Sequence, residues 1–352
     1  MTKSYFLASG YAKPEEPGIH AFSFDDDTGT ISAIGSHSGV DSPSFLVVHP
    51  NREWLYVVSE TGQGSHGVMG SVCSFRFERD PFSITPINQV TTRGDWPCHL
   101  QFDRSGRWLV ATNYGTGDAA ILPIHEDGSL GEMTDFVQHE GSGPNTARQE
   151  RAHAHSSIFT PDNRLLIIAD LGIDRLVIYQ FDASGGSLKH HASVNTHPGA
   201  GPRHMIFHPN SRWLYVANEL NSTVTRSEFD ASGSTLAERD TLSTLPAGAP
   251  ENIVADIHLD HAGTRLYVSN RGHNSLAVYD VAGDGSMSLV SIDSCGGNWP
   301  RNFALAPGGN FILVANQYSN EVCVLPVLSG RESLGRAVAR VAVTGASCIQ
   351  FV

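Results

Sequence analysis

An imidazole, a carboxylate and three guanidinium groups, carried by His155, Glu219, Arg203, Arg271 and Arg301, form a set of side chains able to hold an anion and move a proton. Guanidinium groups bind carboxylate or phosphate in bidentate fashion and stabilise a developing oxyanion. The imidazole of His155 is the natural proton carrier, because its ordinary pKa lies near neutrality. Glu219 between arginines is expected to stay ionised and orient them; to act as acid or base it would need burial to raise its pKa. The five together describe a concave polar site for an anionic small molecule. Each taken singly also has a bland reading, since an Arg–Glu pair at a strand end is often only a clamp between neighbouring elements.

These residues sit at the ends of a repeated unit. An eighteen-residue cassette runs from Pro43 to Glu60, and equivalents begin at Pro97, Ala154, Pro202, Val254 and Pro300. A period of about fifty residues is that of a circular or stacked repeat array. Each cassette reads as a hairpin, an apolar run followed by a Pro/Asp/Asn/Gly turn and a second β-rich run. In the fourth copy the two strands are expected from His204 to His208 and from Trp213 to Asn218. Residues 346–352 match only the first half of a cassette, and the missing half is found at Tyr5–Gly10. Six complete copies and one split copy predict an all-β, seven-bladed β-propeller of four-stranded antiparallel blades. Pairing of the N- and C-terminal strands in one blade closes the ring and leaves no open edge. The whole chain, 1–352, is read as one domain.

In such an array the start of each first strand and the end of each second strand share one face. The second cassette position carries Ser44, Cys98, His155, Arg203, Ala255, Arg301 and Ser347, and the last carries Glu60, Tyr114, Leu171, Glu219, Arg271 and Gln317. A purely structural repeat would keep these positions uniform. Their divergence, against the sameness of the cassette middle, places the chemistry at one mouth. His155, Arg203, Glu219 and Arg271 are the expected catalytic residues, and Arg301, His153, His204 and Tyr114 the expected substrate-binding ones.

Other candidates are weaker. His153 and His155 form an HxH pair that could hold a metal, but no third ligand has a clear place. Glu251, Asp256 and His258 could meet a cation in the channel, although a structural role, with Asp256 bonding backbone amides, fits better. His49 and His208 precede turn prolines and read as turn or packing residues. Asn113, Asp170, Asn218, Asn270 and Asn316 recur at one position and read as caps of strand ends. Five scattered cysteines among 352 residues lack the spacing of a disulfide framework or zinc site. The net charge of −13 speaks against a nucleic-acid partner held through phosphates. No apolar stretch reaches membrane-spanning length, which points to a cytoplasmic protein with no membrane partner. Serine-hydrolase elbows, phosphate loops and dinucleotide fingerprints are absent from suitable settings.

The stretches Gly201-Pro202-Arg203-His204-Met205-Ile206-Phe207-His208-Pro209-Asn210, Asn218-Glu219-Leu220-Asn221, Ala255-Asp256-Ile257-His258, Ser269-Asn270-Arg271-Gly272 and Pro300-Arg301-Asn302-Phe303 resemble the lactonase-type seven-bladed propeller family. That family contains cycloisomerase-like bacterial 6-phosphogluconolactonases and carboxy-cis,cis-muconate cyclases. The resemblance covers essentially the full length. It implies an enzyme without metal or other cofactor that opens or closes an anionic sugar-acid or muconate lactone, with mouth residues falling on His155, Arg203, Glu219 and Arg271. Its leading implication is hydrolysis of 6-phospho-D-glucono-1,5-lactone in the pentose phosphate pathway; a muconate-type cycloisomerase and a non-catalytic binding scaffold are the alternatives. The resemblance leaves open whether His153 or His155 carries the proton.

Overall fold

In the computed structural model the protein is built of strands with two single-turn helices, Gln63–His66 and the 3₁₀ turn Gln317–Ser319, among the residues described, 3–79, 81–232, 234–329 and 333–352. The strands form seven four-stranded antiparallel sheets among those residues. By proximity along the fold the chain divides into two compact units, residues 40–203 and residues 1–39 with 204–352.

The unit of residues 40–203 contains three consecutive sheets, whose first strands are Leu46–Val48, Pro97–Phe102 and Ala154–Phe159. The second strands of the latter two, Trp108–Asn113 and Leu165–Asp170, are buried at every residue. A strand covered on both faces reads as a continuous apolar run and not as an alternation, and this is why the cassette middle is so uniform. The outer strand Ser187–Asn195 is largely open to solvent. Core packing is between sheets: Trp108, Val110 and Ile121 of one interdigitate with Phe159, Leu166 and Ile168 of the next.

Two cassette side chains dock on the neighbouring sheet. The Tyr56 hydroxyl donates to the Gly128 carbonyl at 2.9 Å, and the indole of Trp108 donates to Ala183 O at 3.0 Å while lying on Gly186. A Cβ at Gly186, where φ is +64°, would fall 2.1 Å from the Trp108 ring, so both the turn and the close approach require glycine. The ring of His49 meets Gly106 O at 2.9 Å and its Nδ1 accepts the Asn51 amide. His208 repeats both bonds, to Gly263 O and from Asn210 N–H. The turn histidines are therefore staples between successive sheets.

The second unit holds four sheets, with first strands Pro202–Phe207 (from His204 onward), Ile253–Leu259, Pro300–Leu305 and Ala346–Phe351. The fourth-copy strand begins at Pro202, two residues before the expected start, and ends ahead of His208, whose ring is committed to the turn. The last sheet is the split copy: Lys3–Gly10 pairs with Ala346–Phe351, Phe6 opposite Phe351 and Ala8 opposite Ile349. On its other edge the same strand pairs with Ile19–Asp25. Phe6, Phe24, Phe311 and Leu313 bury the joint.

The recurring Asn/Asp residues close the second strands from the inside. Asn218 donates to the hydroxyls of Thr223 and Thr225, and Asn270 to Thr244 O and Ser275 Oγ. All five cysteines are free thiols and buried.

Candidate active site

Arg271 ends the strand Arg265–Arg271, and Glu219 directly follows Trp213–Asn218 of the preceding sheet. The structure joins them: Nη2 of Arg271 lies 2.6 Å from Oε2 of Glu219, with side chains 4% and 3% exposed. The same Nη2 donates to Val254 O at 2.8 Å, and the Glu219 carbonyl accepts the Val254 amide at 3.1 Å. A desolvated pair of this kind adds little or nothing to stability compared with apolar packing, because both ions have given up water. Its presence at the divergent end of the repeat calls for another reason. The indole of Trp299 lies beside Arg271, ring centroid to guanidinium carbon 5.7 Å, and Arg301 stands over the Tyr11 ring at 5.1 Å.

The same unit carries a second polar cluster. His204 Nδ1 meets Asp256 Oδ1 at 2.7 Å, and His258 Nε2 meets Oδ2 at 2.9 Å. Oδ2 also accepts Asn302 Nδ2 at 2.6 Å and the Phe303 amide at 3.2 Å, while Oδ1 accepts the amide of Ile257. Asn302 passes the chain on, its Oδ1 accepting Ile349 N–H. One carboxylate thus ties the first strands of three consecutive sheets, and Asn302 extends the tie to a fourth. Burial alone would raise the Asp256 pKa, but the His258 and His204 charges and hydrogen bonds hold it well below the carboxylate range. Burial works to lower the His258 pKa, and the Asp256 charge and hydrogen bond overcome it, leaving it raised. Asp256 is reached because its strand carries a bulge between Val254 and Ile257.

In the unit of residues 40–203, His153, His155 and Tyr114 come together. Tyr114 stacks on His153 at 4.5 Å and meets His155 edge-on at 5.5 Å. Both ring nitrogens of His153 are engaged, Nδ1 with Tyr114 O at 2.9 Å and Nε2 with Glu150 Oε1 at 3.2 Å. His155 lies against Cys98, whose thiol donates to the His155 carbonyl at 3.3 Å. Arg203 is 2% exposed, and its carbonyl accepts the Ser156 hydroxyl at 2.5 Å. Arg148 reaches the Tyr114 hydroxyl at 3.3 Å. Among the described residues no group of three or more His, Cys, Asp or Glu side chains is placed to hold a metal ion.

The sequence reading passed over His139. Its Nδ1 lies 2.7 Å from Asp170 Oδ2, and the other carboxylate oxygen accepts the amides of His153 and Gly172. A usable signal was present: Asp170 stands where the other cassettes cited above have Asn, and a buried carboxylate needs a partner that an amide does not.

Residues 5–351 match the family described as Lactonase, 7-bladed beta-propeller. The chain belongs to this family. Its seven antiparallel sheets are accordingly the blades of an all-β propeller. Among curated relatives, the 6-phosphogluconolactonase of Bacillus subtilis (strain 168) is 30% identical, with 100% of this chain and 99% of the relative aligned. The 6-phosphogluconolactonase of Formosa agariphila is also 30% identical, over 98% of both chains. Among solved structures, the periplasmic gluconolactonase PpgL of Pseudomonas aeruginosa superposes with a TM-score of 0.93 at 30% identity, covering 100% of this chain and 99% of its own. Among the described residues no helix is long and apolar enough to cross a membrane.

Proposed function

We propose that this member of the lactonase family hydrolyses 6-phospho-D-glucono-1,5-lactone to 6-phosphogluconate in the cytoplasm, within the oxidative pentose phosphate pathway. The observation that carries the reading is the buried Arg271–Glu219 pair, a guanidinium fixed by a carboxylate at the divergent end of the repeat. Support comes from two relatives named 6-phosphogluconolactonase. The roles follow residue by residue. His155 takes a proton from water as it adds to the lactone carbonyl, and returns it to the ring oxygen as the C–O bond breaks. Arg203 and Arg271 stabilise the negative charge on the carbonyl oxygen, and Glu219 orients Arg271. Both ring nitrogens of His153 are engaged, with Tyr114 O and Glu150, and we assign the proton role to His155. A lactone is already activated, and the net reaction consumes one water with no covalent nucleophile.

The test is the initial rate on freshly generated lactone in a coupled assay with chelator present, spontaneous hydrolysis subtracted. His155→Ala is expected to lower kcat by about 10²-fold. Wild-type turnover no faster than the background would overturn the reading.

One observation favours a second reading, hydrolysis of an unphosphorylated sugar lactone: the likeness to a periplasmic gluconolactonase at a TM-score of 0.93. Arg301 separates the two. If it binds phosphate, Arg301→Ala raises KM for the phosphorylated lactone about tenfold, ~1.4 kcal/mol, and leaves KM for glucono-1,5-lactone unchanged. Equal effects on both lactones would remove Arg301 from phosphate recognition.

A further inference from the structure

The residue just before the cassette adopts a left-handed backbone in several repeats: Ser42 at φ +49°, Trp96 at +56°, Gly201 at +63°, Trp299 at +68° and Gly345 at +55°. The turn into the blade demands this conformation. Glycine meets the demand without strain and is used in two of the five. A tryptophan there is a steric outlier, doubly so before a proline, which disfavours helical dihedrals in its predecessor. Trp299 is nonetheless held firmly, its amide donating to Asn274 Oδ1 at 2.8 Å and its carbonyl accepting from Gln317 N–H at 3.0 Å. Strain kept where glycine would serve points to the side chain as the reason.

That side chain does two things. Its indole stacks with the Tyr318 ring, centroids 4.7 Å apart and planes at 23°, and it lies 5.7 Å from the Arg271 guanidinium carbon. Tyr318 is 59% exposed on the 3₁₀ turn. The Tyr318 amide bonds Asn298 O, and the Ser319 hydroxyl accepts from Asn298 N–H at 2.7 Å, so the phenol is fixed against the same loop as the indole. An aromatic wall therefore leads outward from the buried ion pair into solvent. Saturated sugar rings present a face of C–H groups that packs on such π surfaces, and a few placed polar groups then fix orientation.

We infer that Trp299 and Tyr318 form the sugar-ring subsite, an aromatic wall that takes the C–H face of an aldonic acid or its lactone while Arg271 holds the charged or carbonyl end. This deepens the lactonase reading and rests on it. Trp299→Gly is the deciding variant, because it removes the ring and relieves the backbone by installing the residue other repeats use. Its unfolding midpoint equals or exceeds that of wild type, while KM for the lactone and Kd for the sugar acid rise about tenfold. Tyr318→Ala shifts both in the same direction. Trp299→Phe, which keeps a stacking ring, retains affinity within about threefold but loses the part of the tryptophan emission change that 6-phosphogluconate or gluconate produces in wild type.

Two failures are distinguishable. If wild type hydrolyses the lactone and Trp299→Gly matches it in KM and in sugar-acid Kd within about twofold, the wall is a structural prop for Arg271 and the inference is wrong while the lactonase reading stands. If wild type neither hydrolyses the lactone nor binds either sugar acid, both fall together.

Discussion

Arg271→Met is expected to lower kcat/KM by about 10²–10³-fold, the range seen when one donor to a developing oxyanion is removed, and to destabilise the protein by about 3–5 kcal/mol. The second effect comes from Glu219, left buried at 3% exposure without the guanidinium that now lies 2.6 Å from it. The two effects separate in the double variant Arg271→Met/Glu219→Gln. Removal of both charges deletes the desolvation cost along with the attraction, so stability returns towards wild type. Activity does not return, because the anion-binding group is still missing. Denaturant titrations of the three proteins beside their lactone turnover would settle the matter. Normal turnover in a destabilised Arg271→Met protein would make the pair a clamp between blades and nothing more.

Asp256→Asn is expected to be the most damaging single change outside the catalytic set. The carboxylate receives His204, His258 and Asn302 side chains and the amides of Ile257 and Phe303. An amide in its place turns an NH₂ towards donors and deletes the charge that His258 answers. Breaking one side of a buried charged cluster costs about 3–5 kcal/mol. The loss depends on pH in a direction fixed by the two shifts. Asp256 has its folded pKa lowered, so its contribution is present above the unfolded carboxylate value of ~3.9 and disappears as pH falls through the folded one. His258 has its folded pKa raised, so its contribution is complete below the unfolded value of ~6.5 and disappears as pH rises through the folded one. The difference in stability between wild type and Asp256→Asn is therefore greatest between about pH 4 and 6.5 and shrinks on the alkaline side. Guanidinium midpoints of both proteins at pH 5.5 and pH 9 measure it. A difference that is flat across that interval would mean that Asp256 does not raise the His258 pKa in the folded protein.

Most of the architecture was legible because it rests on periodicity. The buried second strands repeat as apolar runs, the turn histidines repeat two residues before Asn51 and Asn210, and the terminal halves of one cassette can be matched by eye. The structural reading of Asp256 was legible too, from its place at a strand start beside His258. Its full set of partners was not. His204 and Asn302 stand 52 and 46 residues from it, and Ile349 a further 47 from Asn302, all joined only through the reach of side chains from blade to blade, and no local pattern encodes that reach. The His139–Asp170 pair was hidden for the same reason, and so was the commitment of both His153 nitrogens. The left-handed position before five of the cassettes escaped for a different one. Ser42, Trp96, Gly201, Trp299 and Gly345 share a dihedral angle and no chemistry, so alignment by residue type could not group them.

The split blade also has a history in time. As the chain leaves the ribosome, Lys3–Gly10 meets one partner, Ile19–Asp25, almost at once. Its other partner, Ala346–Phe351, comes later in the chain than every other described strand. Until then Lys3–Gly10 carries a row of unanswered amides and carbonyls, the kind of edge that recruits strands from other chains. Closing so long a loop is entropically slow but not much costlier than closing a shorter one. Ala346–Phe351 is thus the strand that ends this vulnerable interval, and it acts as a release from it more than as one more strand among many.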